Sequence, residues 1–181
     1  MRLETERLIL RKPDHGDVDG YAERWGDPEV VRYIGGTTLS PDEVPAGIDR
    51  LLGHWDRHGL GLFSVIRRED EHFLGRVGYL LWDTERWENG VSEVLEGDLE
   101  LEIGWTILRA FWNQGYATEA AIACRDHAFG ELGRDRIISL IAPPNVASIR
   151  VAEKLGESYE RDVDLGKRVV GLYSLGKRPA R

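Results

Sequence analysis

The chain has 181 residues, of which 41% are hydrophobic, and a formal net charge of −8 at pH 7. This size and composition predict a single domain over 1–181 with a proper core. The acidic balance argues against a nucleic-acid partner, which needs a basic face, and no run of eighteen apolar residues predicts a membrane span. The acidic start MRLETERLIL does not fit a signal peptide, so we expect a cytoplasmic protein.

The cysteine and histidine content limits redox and metal chemistry. Cys124 is the only cysteine, and its position in a helical stretch predicts a small buried side chain. The five histidines are scattered, and only His54 and His58 have the i, i+4 spacing of neighbours on a helix. We interpret this pair as part of a solvated helix face, and no metal site is predicted.

Hydrophobic spacing predicts strands and helices along the whole chain. Apolar residues recur at every second position in the strands and at every third or fourth position in the helices. In chain order we predict a strand at 5–11, helices at 17–24 and 40–58, strands at 60–67 and 73–83, a central strand at 99–108, a helix at 118–132, a strand at 136–141, a helix at 148–155, and a hairpin of strands 159–163 and 167–175.

Three connecting segments have signals of their own. Residues 29–36 predict a short helical turn that ends at two glycines. Ser40, Pro41 and Glu43 have the spacing of a capping box with proline at the first helical position. Residues 85–98 predict a polar loop whose carboxylates include Glu88, Glu93, Glu96 and Asp98.

The stretch 99–121, LELEIGWTILRAFWNQGYATEAA, carries the strongest functional signal. Its first half alternates like a strand, with Leu101 and Ile103 on one face and Glu100 and Glu102 on the other. Its second half is a glycine-containing turn followed by a helix. Backbone N–H groups at such a helix start, together with the helix dipole, form an anion site that suits a phosphate. A plain turn is the alternative that this segment alone leaves open.

The order of several short motifs carries a resemblance to a known family. The strand EIGWTI, the turn NQGYATEA, the strand RIISLI and the segment NVASIRVAEKLG follow one another, after the opening TERLILR and a WGDPEV segment. This set resembles the GCN5-related N-acetyltransferase (GNAT) superfamily, and within it the branch of the ribosomal-protein alanine acetyltransferases, over essentially the whole chain. The resemblance implies an α/β (α+β) fold: a central, mixed, mostly antiparallel twisted sheet with one splayed parallel strand pair, flanked by about four helices.

The resemblance also implies acetyl-CoA as co-substrate, with no metal. In the family the pantetheine arm lies in a V between the central strand and the next parallel strand, here 101–108 and 136–141. The implied binding residues are the backbone at Trp105, Thr106 and Ile107, the phosphate turn of Asn113, Gln114, Gly115, Tyr116, Ala117 and Thr118, and the pair Asn145 and Ser148 of the Asn-x-x-Ser motif.

Three positions depart from the superfamily pattern. Trp112 stands three residues before the glycine of the phosphate turn, where Gln or Arg is usual, so we expect main-chain amides to do the binding there. Ala152 stands where many members have the tyrosine that protonates the leaving thiolate, which leaves Ser148, a water or another residue as the proton source. Glu157 replaces the usual Phe after the glycine that ends the helix, and the sequence offers no reason for it.

The implied reaction is direct attack of an amine on a thioester, so the amine must first lose its proton. At pH 7 this costs about 4.6 kcal/mol for a lysine-like amine and about 1 kcal/mol for an α-amine. Glu102 is the leading candidate for the base, directly or through a water, with Glu100 in reserve. The alternative is that Glu102 only pairs with a neighbouring arginine or with solvent.

Two further roles follow from the resemblance. A main-chain N–H at Trp105 or Thr106 would polarise the thioester carbonyl. Ser148 is either a catalytic residue or the N-cap of its helix, which is the commoner role of a serine at that place.

Several acceptor amines are compatible with the sequence. They are the amino terminus of a ribosomal protein or of another protein or peptide, an aminoglycoside, a polyamine and a small amino acid, and carboxylates of 85–98 would hold a cationic acceptor. Trp25, Tyr33, Trp82 and Trp87 are either walls of that site or core packing. A catalytically silent acyl-CoA-binding module is the alternative to an enzyme, and both a monomer and a homodimer are compatible.

Overall fold

The computed structural model describes residues 1–35, 37–91, 95 and 98–177. The strands in this part of the chain are β1 (Arg2–Glu4), β2 (Leu8–Arg11), β3 (Leu62–Arg67), β4 (Phe73–Asp83), β5 (Glu88–Asn89), β6 (Leu99–Ile107), β7 (Arg136–Ile141), β8 (Ser158–Asp164) and β9 (Val169–Gly176). The α-helices are α1 (Val18–Gly26), α2 (Pro28–Val31), α3 (Val44–His58), α4 (Tyr116–Phe129) and α5 (Val146–Leu155).

These strands form one sheet in the order β1-β2-β3-β4-β6-β7-β9-β8, with the short β5 paired to β4. The β6–β7 pair is parallel and the other pairs are antiparallel. The predicted mixed, mostly antiparallel sheet with one parallel pair is therefore confirmed. Five helices flank it where about four were expected, because α2 is a single turn of four residues.

Strand β6 is paired along its whole length with β4 on one side, but at a single position with β7 on the other. Against β4, the register runs without a break from Gly75 opposite Ile107 to Asp83 opposite Leu99. Against β7, the strands are paired at one position, Glu102 opposite Ile138. Beyond that position the strands diverge, so a V-shaped cleft opens between β6 and β7.

Two hydrophobic layers cover the faces of the sheet. On one face, small residues of α4 such as Ala121 and Cys124 pack against Leu101 and Ile103 of β6. On the other face, α1 and α3 pack on β3 through Tyr21, Ile48, Leu51 and Leu62. Burial of each large apolar side chain contributes about 1.5–3 kcal/mol, and the small side chains of α4 let that helix approach the sheet closely. The burial predicted for Cys124 is confirmed.

Several local predictions are confirmed and others need new boundaries. Ser40 and Glu43 form the predicted capping box, with the Ser40 N–H donating to Glu43 at 2.8 Å. The predicted strand at 5–11 is shorter and follows an extra edge strand, β1, whose three residues are too few for a periodic signal. Within the predicted loop 85–98, β5 adds two residues to the sheet, whereas Glu93 and Glu96 lie outside the described residues. Gly36, the second glycine of the predicted turn, also lies outside them.

The prediction that His54 and His58 lie on a solvated helix face is wrong for His54. Its side chain is buried, and Nδ1 lies 2.9 Å from the Leu60 carbonyl oxygen. Burial lowers the pKa of His54 to about 4, so the ring is neutral at pH 7. The chain turns back at Gly59, in a left-handed conformation with φ of 68°, and thereby covers that face of α3.

Candidate functional site

The cleft between β6 and β7 exposes one edge of the β6 backbone. The Ile103 carbonyl accepts a hydrogen bond from Ser139 Oγ at 2.9 Å, and the Ile107 carbonyl accepts one from Trp112 Nε1 at 2.7 Å. Side chains thus replace the donors that a continued β-ladder would supply. Because alternate residues of a strand direct their backbone groups to the same side, the N–H and carbonyl of Trp105 face the cleft as well. Thr106 directs its backbone groups toward β4.

The turn between β6 and α4 has the geometry of an anion site. Asn113 and Gly115 both have left-handed backbone conformations, with φ of 60° and 83°, and Gly115 is the N-cap of α4. The backbone N–H groups of the first turn of α4 therefore point out of the helix with the positive end of its dipole behind them. Trp112, at the position that departs from the family pattern, closes this turn through its bond to the Ile107 carbonyl.

An arginine from the start of the chain supports this turn. Arg7 Nη1 donates to the Gln114 carbonyl at 3.1 Å, and its Nη2 forms an ion pair with Glu119 of α4 at 2.6 Å. The Arg7 guanidinium also lies over the Tyr116 ring, 4.4 Å from the ring centroid. The hydroxyl of Thr5 donates to the same Glu119 at 2.6 Å. The opening TERLILR segment thus holds the first turn of α4 in place.

The far wall of the cleft is the start of α5. Asn145 is the N-cap of this helix, and its side chain accepts the Ser148 N–H at 3.2 Å. The alternative that Ser148 itself is the N-cap is therefore wrong, because Asn145 is the N-cap and the first helical residue, Val146, precedes the predicted start by two positions. The Ser148 hydroxyl instead accepts a hydrogen bond from Trp105 Nε1 at 3.3 Å, across the cleft. A small cavity of about 60 Å³ lies here between β6, β7 and α5.

Glu102 lies where β6 and β7 begin to diverge. Its side chain is buried and lines the small cavity, and Oε2 accepts a hydrogen bond from Trp82 Nε1 at 2.5 Å. Burial raises the pKa of Glu102, although hydrogen bonds from Trp82 and the Leu140 backbone and the charges of Arg76 and Arg168 oppose the rise. Glu102 is thus a buried side chain held by Trp82 at the edge of the cleft.

The reserve candidate, Glu100, has a different environment. Its Oε1 accepts a hydrogen bond from Arg136 Nε at 2.8 Å, and Arg136 also binds Glu160 at 2.6 Å. The neighbouring-arginine pairing that was the alternative for Glu102 is therefore found at Glu100. Of the two carboxylates, Glu102 is the one that borders the cleft.

A second buried carboxyl group lies behind the cleft. Glu157 is 3% exposed, and its Oε1 lies 3.1 Å from Ser139 Oγ. Burial raises the pKa of Glu157 to about 8, so this group is protonated at pH 7. Ser139 has a single hydroxyl hydrogen, which it donates to Ile103, so the Glu157 carboxylic acid is the donor to Ser139. The substitution of the family's Phe thus creates a hydrogen-bonded chain that holds the backbone of β6 at the cleft.

A larger cavity of about 600 Å³ lies on the other side of Trp82. Trp82 connects the two spaces, because it lines this cavity and also donates to Glu102. Trp82 and Trp87 form one wall, with ring centroids 6.4 Å apart. Tyr33 lines the small cavity instead, and Trp25 packs against Tyr21 with centroids 4.8 Å apart. The other described residues around the larger cavity are Arg32, Gly35, Glu88, Asn89, Leu95, Leu165, Lys167 and Arg168.

Comparison with known proteins identifies the family. The family model for an acetyltransferase (GNAT) domain matches residues 7–157. This chain belongs to the GNAT acetyltransferase family. It is an acyltransferase, and GNAT acetyltransferases use acetyl-CoA.

Relatives and solved structures agree with this assignment. An uncharacterized N-acetyltransferase of Bacillus licheniformis is 31% identical over 183 residues, covering 97% of this chain and 96% of that protein. The acetyltransferase of Agrobacterium tumefaciens is 27% identical with a TM-score of 0.78, covering 98% of this chain and 95% of the other. RimL, the ribosomal L7/L12 α-N-protein acetyltransferase in complex with coenzyme A, shares the fold with a TM-score of 0.78 at 13% identity, covering 97% of this GNAT chain and 98% of its own.

Two kinds of feature are absent from the described residues of this GNAT chain. No helix in them is both long and apolar enough to span a membrane. No group of three or more His, Cys, Asp or Glu side chains that could hold a metal ion occurs in these same ranges.

The structure adds residues that sequence reasoning did not single out. Arg7 and Ser139 have ordinary positions in predicted strands, and no local pattern marks their contacts. Glu157 did have a signal, because a carboxylate that follows a helix-ending glycine in place of Phe is unusual for this family. Arg168 lies near the start of the predicted strand 167–175, where no local pattern marks its contact with Tyr33.

Proposed function

We propose that this chain, acting as one domain over 1–181, transfers the acetyl group of acetyl-CoA to a primary amine, with Glu102 as the base. The observation that carries the proposal is the position of Glu102 at the open edge of β6, in hydrogen-bond contact with Trp82, which lines the larger cavity. The cleft along β6 suits an extended acyl carrier, and the larger cavity suits an acceptor. A carboxylate at this position can receive the proton that the amine loses.

The residues of the cleft fit acetyl-CoA, which supplies an acetyl group activated as a thioester. The exposed backbone of Trp105 can hydrogen-bond the pantetheine amides as a further strand would. Its N–H is the one suited to polarise the thioester carbonyl, since Thr106 directs its backbone groups toward β4. The amides of 115–118 suit the pyrophosphate, and Asn145 and Ser148 border the cleft near the thioester.

In the proposed reaction the acceptor nitrogen loses two protons, one before the attack on the thioester and one after it. Glu102 takes a proton from the bound ammonium group, and the free amine forms a C–N bond with the acetyl carbonyl carbon. The C–S bond breaks, and the second proton lost by the nitrogen passes to the leaving thiolate through the Ser148 hydroxyl or a water, so that the serine ends with its own hydrogen restored. Ser148 can act in this way because Trp105 is the donor in their hydrogen bond, which leaves the serine hydrogen available.

The proposed acceptor is an α-amine, either of a protein or peptide amino terminus or of a small molecule. Deprotonation of an α-amine at pH 7 costs about 1 kcal/mol, against about 4.6 kcal/mol for a lysine-like amine. A single buried carboxylate is a sufficient base for the first of these. RimL, a fold neighbour, is an α-N-protein acetyltransferase, which is in keeping with this class.

The test is thiol release from acetyl-CoA with a panel of amines, using the wild type and Glu102→Gln. The introduced amide would still accept the Trp82 hydrogen bond through its oxygen but could not take a proton. We expect kcat at pH 7 to fall by about a hundredfold, with an unchanged Kd for acetyl-CoA and partial recovery at higher pH.

The matched control is Glu100→Gln, which removes a carboxylate two residues away on the same strand. It should change kcat by less than about threefold, because that carboxylate pairs with Arg136 and is not the base. Unchanged kcat in Glu102→Gln would remove Glu102 from the mechanism. Acetyl-CoA binding without transfer to any amine would overturn the proposed activity.

A further inference from the structure

The described residues that line the larger cavity are mostly cationic where charged, in a protein with a net charge of −8. Three cationic side chains line the cavity, those of Arg32, Lys167 and Arg168. Among the described residues around it, Glu88 is the one carboxylate, and it lies 3.6 Å from Arg86. The described lining therefore favours an anionic group and does not suit the cationic acceptor that the polar loop 85–98 had suggested.

Two of these cations have no carboxylate partner of their own among the described residues. Arg168 Nη1 donates to the Tyr33 carbonyl at 2.7 Å, a neutral group that fixes the guanidinium without cancelling its charge. Lys167 is exposed, and no carboxylate in the described part of the chain forms an ion pair with it. Both residues lie in the turn between β8 and β9, at the end of β9 that borders the cavity. Arg32, in contrast, pairs with Glu29 at 3.4 Å.

The cations are close to the proposed base and far from the proposed phosphate turn. Trp82 borders both the cavity and the Glu102 carboxylate, and the charge of Arg168 is the smallest of the influences that lower the pKa of Glu102 against the rise from burial. The cavity residue Trp82 lies opposite Glu100, near the start of β6, whereas the turn at Gly115 follows the end of this strand. Nine residues of strand span about 30 Å, so these cations are not the group that would hold the pyrophosphate of acetyl-CoA.

We propose that the acceptor is a primary amine that also carries a carboxylate, which Lys167 and Arg168 bind in the larger cavity while the amine reaches Glu102. This inference rests on the proposed function and specifies its substrate class. The cavity volume of about 600 Å³ is in the range of small-molecule sites, so a free amino acid or the first residues of an acidic peptide would fit. Polyamines and aminoglycosides, which are polycations, are disfavoured.

The test compares amines that differ in the carboxylate alone. Alanine against alaninol tests a free amino acid, and amidated peptides that begin Ala-Asp against Ala-Asn test a peptide. In one of these two pairs we expect the carboxylate-bearing amine to have at least a fivefold higher kcat/KM. The pair that shows this difference tells whether the acceptor is a free amino acid or a peptide. Spermidine should be a poorer acceptor than either.

Charge reversal at Lys167 gives the second readout. Lys167→Glu should raise the KM for the preferred carboxylate-bearing amine at least fivefold and leave the KM for acetyl-CoA unchanged. The KM for the matched amine that lacks the carboxylate should change little in Lys167→Glu. Lys177→Glu is the matched control, since it makes the same charge change just beyond the other end of β9.

The outcomes separate this inference from the proposed function. Transfer with equal kcat/KM for both amines in each arm, or equal effects of Lys167→Glu and Lys177→Glu, would overturn the carboxylate site and leave the acetyltransferase activity standing. Absence of transfer to every amine would overturn the proposed function and this inference with it.

Discussion

At the scale of single residues, Glu157 shows how a buried acid can stabilise a functional cleft. Its carboxylic acid donates to Ser139, and Ser139 donates to the Ile103 carbonyl at the point where the β-ladder between β6 and β7 ends. A buried carbonyl without a donor would cost about 1–3 kcal/mol. The hydrogen-bonded chain therefore allows β6 and β7 to diverge without leaving this carbonyl unsatisfied.

Glu157 should make the stability of the protein depend on pH. Its pKa rises to about 8 in the folded state from an ordinary value of 4.5, so its contribution is complete below pH 4.5 and is lost as the pH rises through 8. Between pH 7 and pH 9 the free energy of unfolding should fall by about 1 kcal/mol from this group. Glu157→Gln keeps a donor for Ser139 but does not titrate, so urea denaturation of this variant should show a smaller fall.

The interval between pH 7 and pH 9 lies above the range in which the buried His54 titrates, and the contribution of the buried Cys124 thiol, whose pKa is raised by burial, is common to the wild type and the variant. His54 has a pKa lowered from 6.5 to about 4. Its contribution to the free energy of unfolding is therefore complete above pH 6.5 and is lost as the pH falls through 4. An equal fall in wild type and Glu157→Gln would show that Glu157 is ionised in the folded protein at pH 7.

Among the elements, the turn between β6 and α4 combines local sequence with a distant support. Gly115 was predicted from its position before a helix, and its left-handed φ of 83° explains why glycine is needed. Arg7, 107 residues from the Gln114 carbonyl that it binds, could not be predicted from that segment. Similarly, the start of α5 was placed two residues late, because the capping bond of Asn145 depends on its side-chain conformation.

Gly115→Ala should weaken the binding of acetyl-CoA through this turn. An alanine in the left-handed region costs about 1–2 kcal/mol, and relief of that strain would turn the amides of α4 away from the phosphates. We expect the Kd for acetyl-CoA, measured by calorimetry, to rise about tenfold or more, and the KM for acetyl-pantetheine, which lacks the pyrophosphate, to change little.

The matched control for this turn is Gly133→Ala. Gly133 also has a left-handed conformation, with φ of 61°, and open space around the position of a Cβ atom. It therefore has the same backbone strain at a turn that does not follow β6. If both variants weakened acetyl-CoA binding equally, the effect would be one of overall stability and not of the phosphate turn.

At the scale of the whole molecule, the proposed acetyl-CoA site draws on four successive strands and α-helices between residues 99 and 155, which meet at one cleft only in the folded protein. The strands β6 and β7 form its walls, α4 supplies the phosphate turn and α5 supplies Asn145 and Ser148. A ligand that spans these elements binds the folded state and has no site in the unfolded chain. Binding should therefore stabilise the whole fold.

Acetyl-CoA at 100 times its Kd should raise the free energy of unfolding by about 2.7 kcal/mol. For a chain of this length that corresponds to a rise in Tm of roughly 5–10 °C, which thermal unfolding followed by circular dichroism would measure. Gly115→Ala should show a smaller rise at the same ligand concentration. No rise in the wild type at saturation would contradict a site built from these four elements.

The sequence by itself determined the elements, the capping box, the glycine turn and the family, because each depends on the spacing of residues near one another in the chain. The ordered motifs also predicted Glu102, Asn145 and Ser148 as residues of the site. Only the tertiary structure decided what these side chains contact: the Trp82 bond to Glu102, the chain from Glu157 to Ile103, and the cations of the larger cavity. These contacts join residues as far apart as Tyr33 and Arg168, separated by 135 positions, and local periodicity has no information on which side chains the folded sheet brings together.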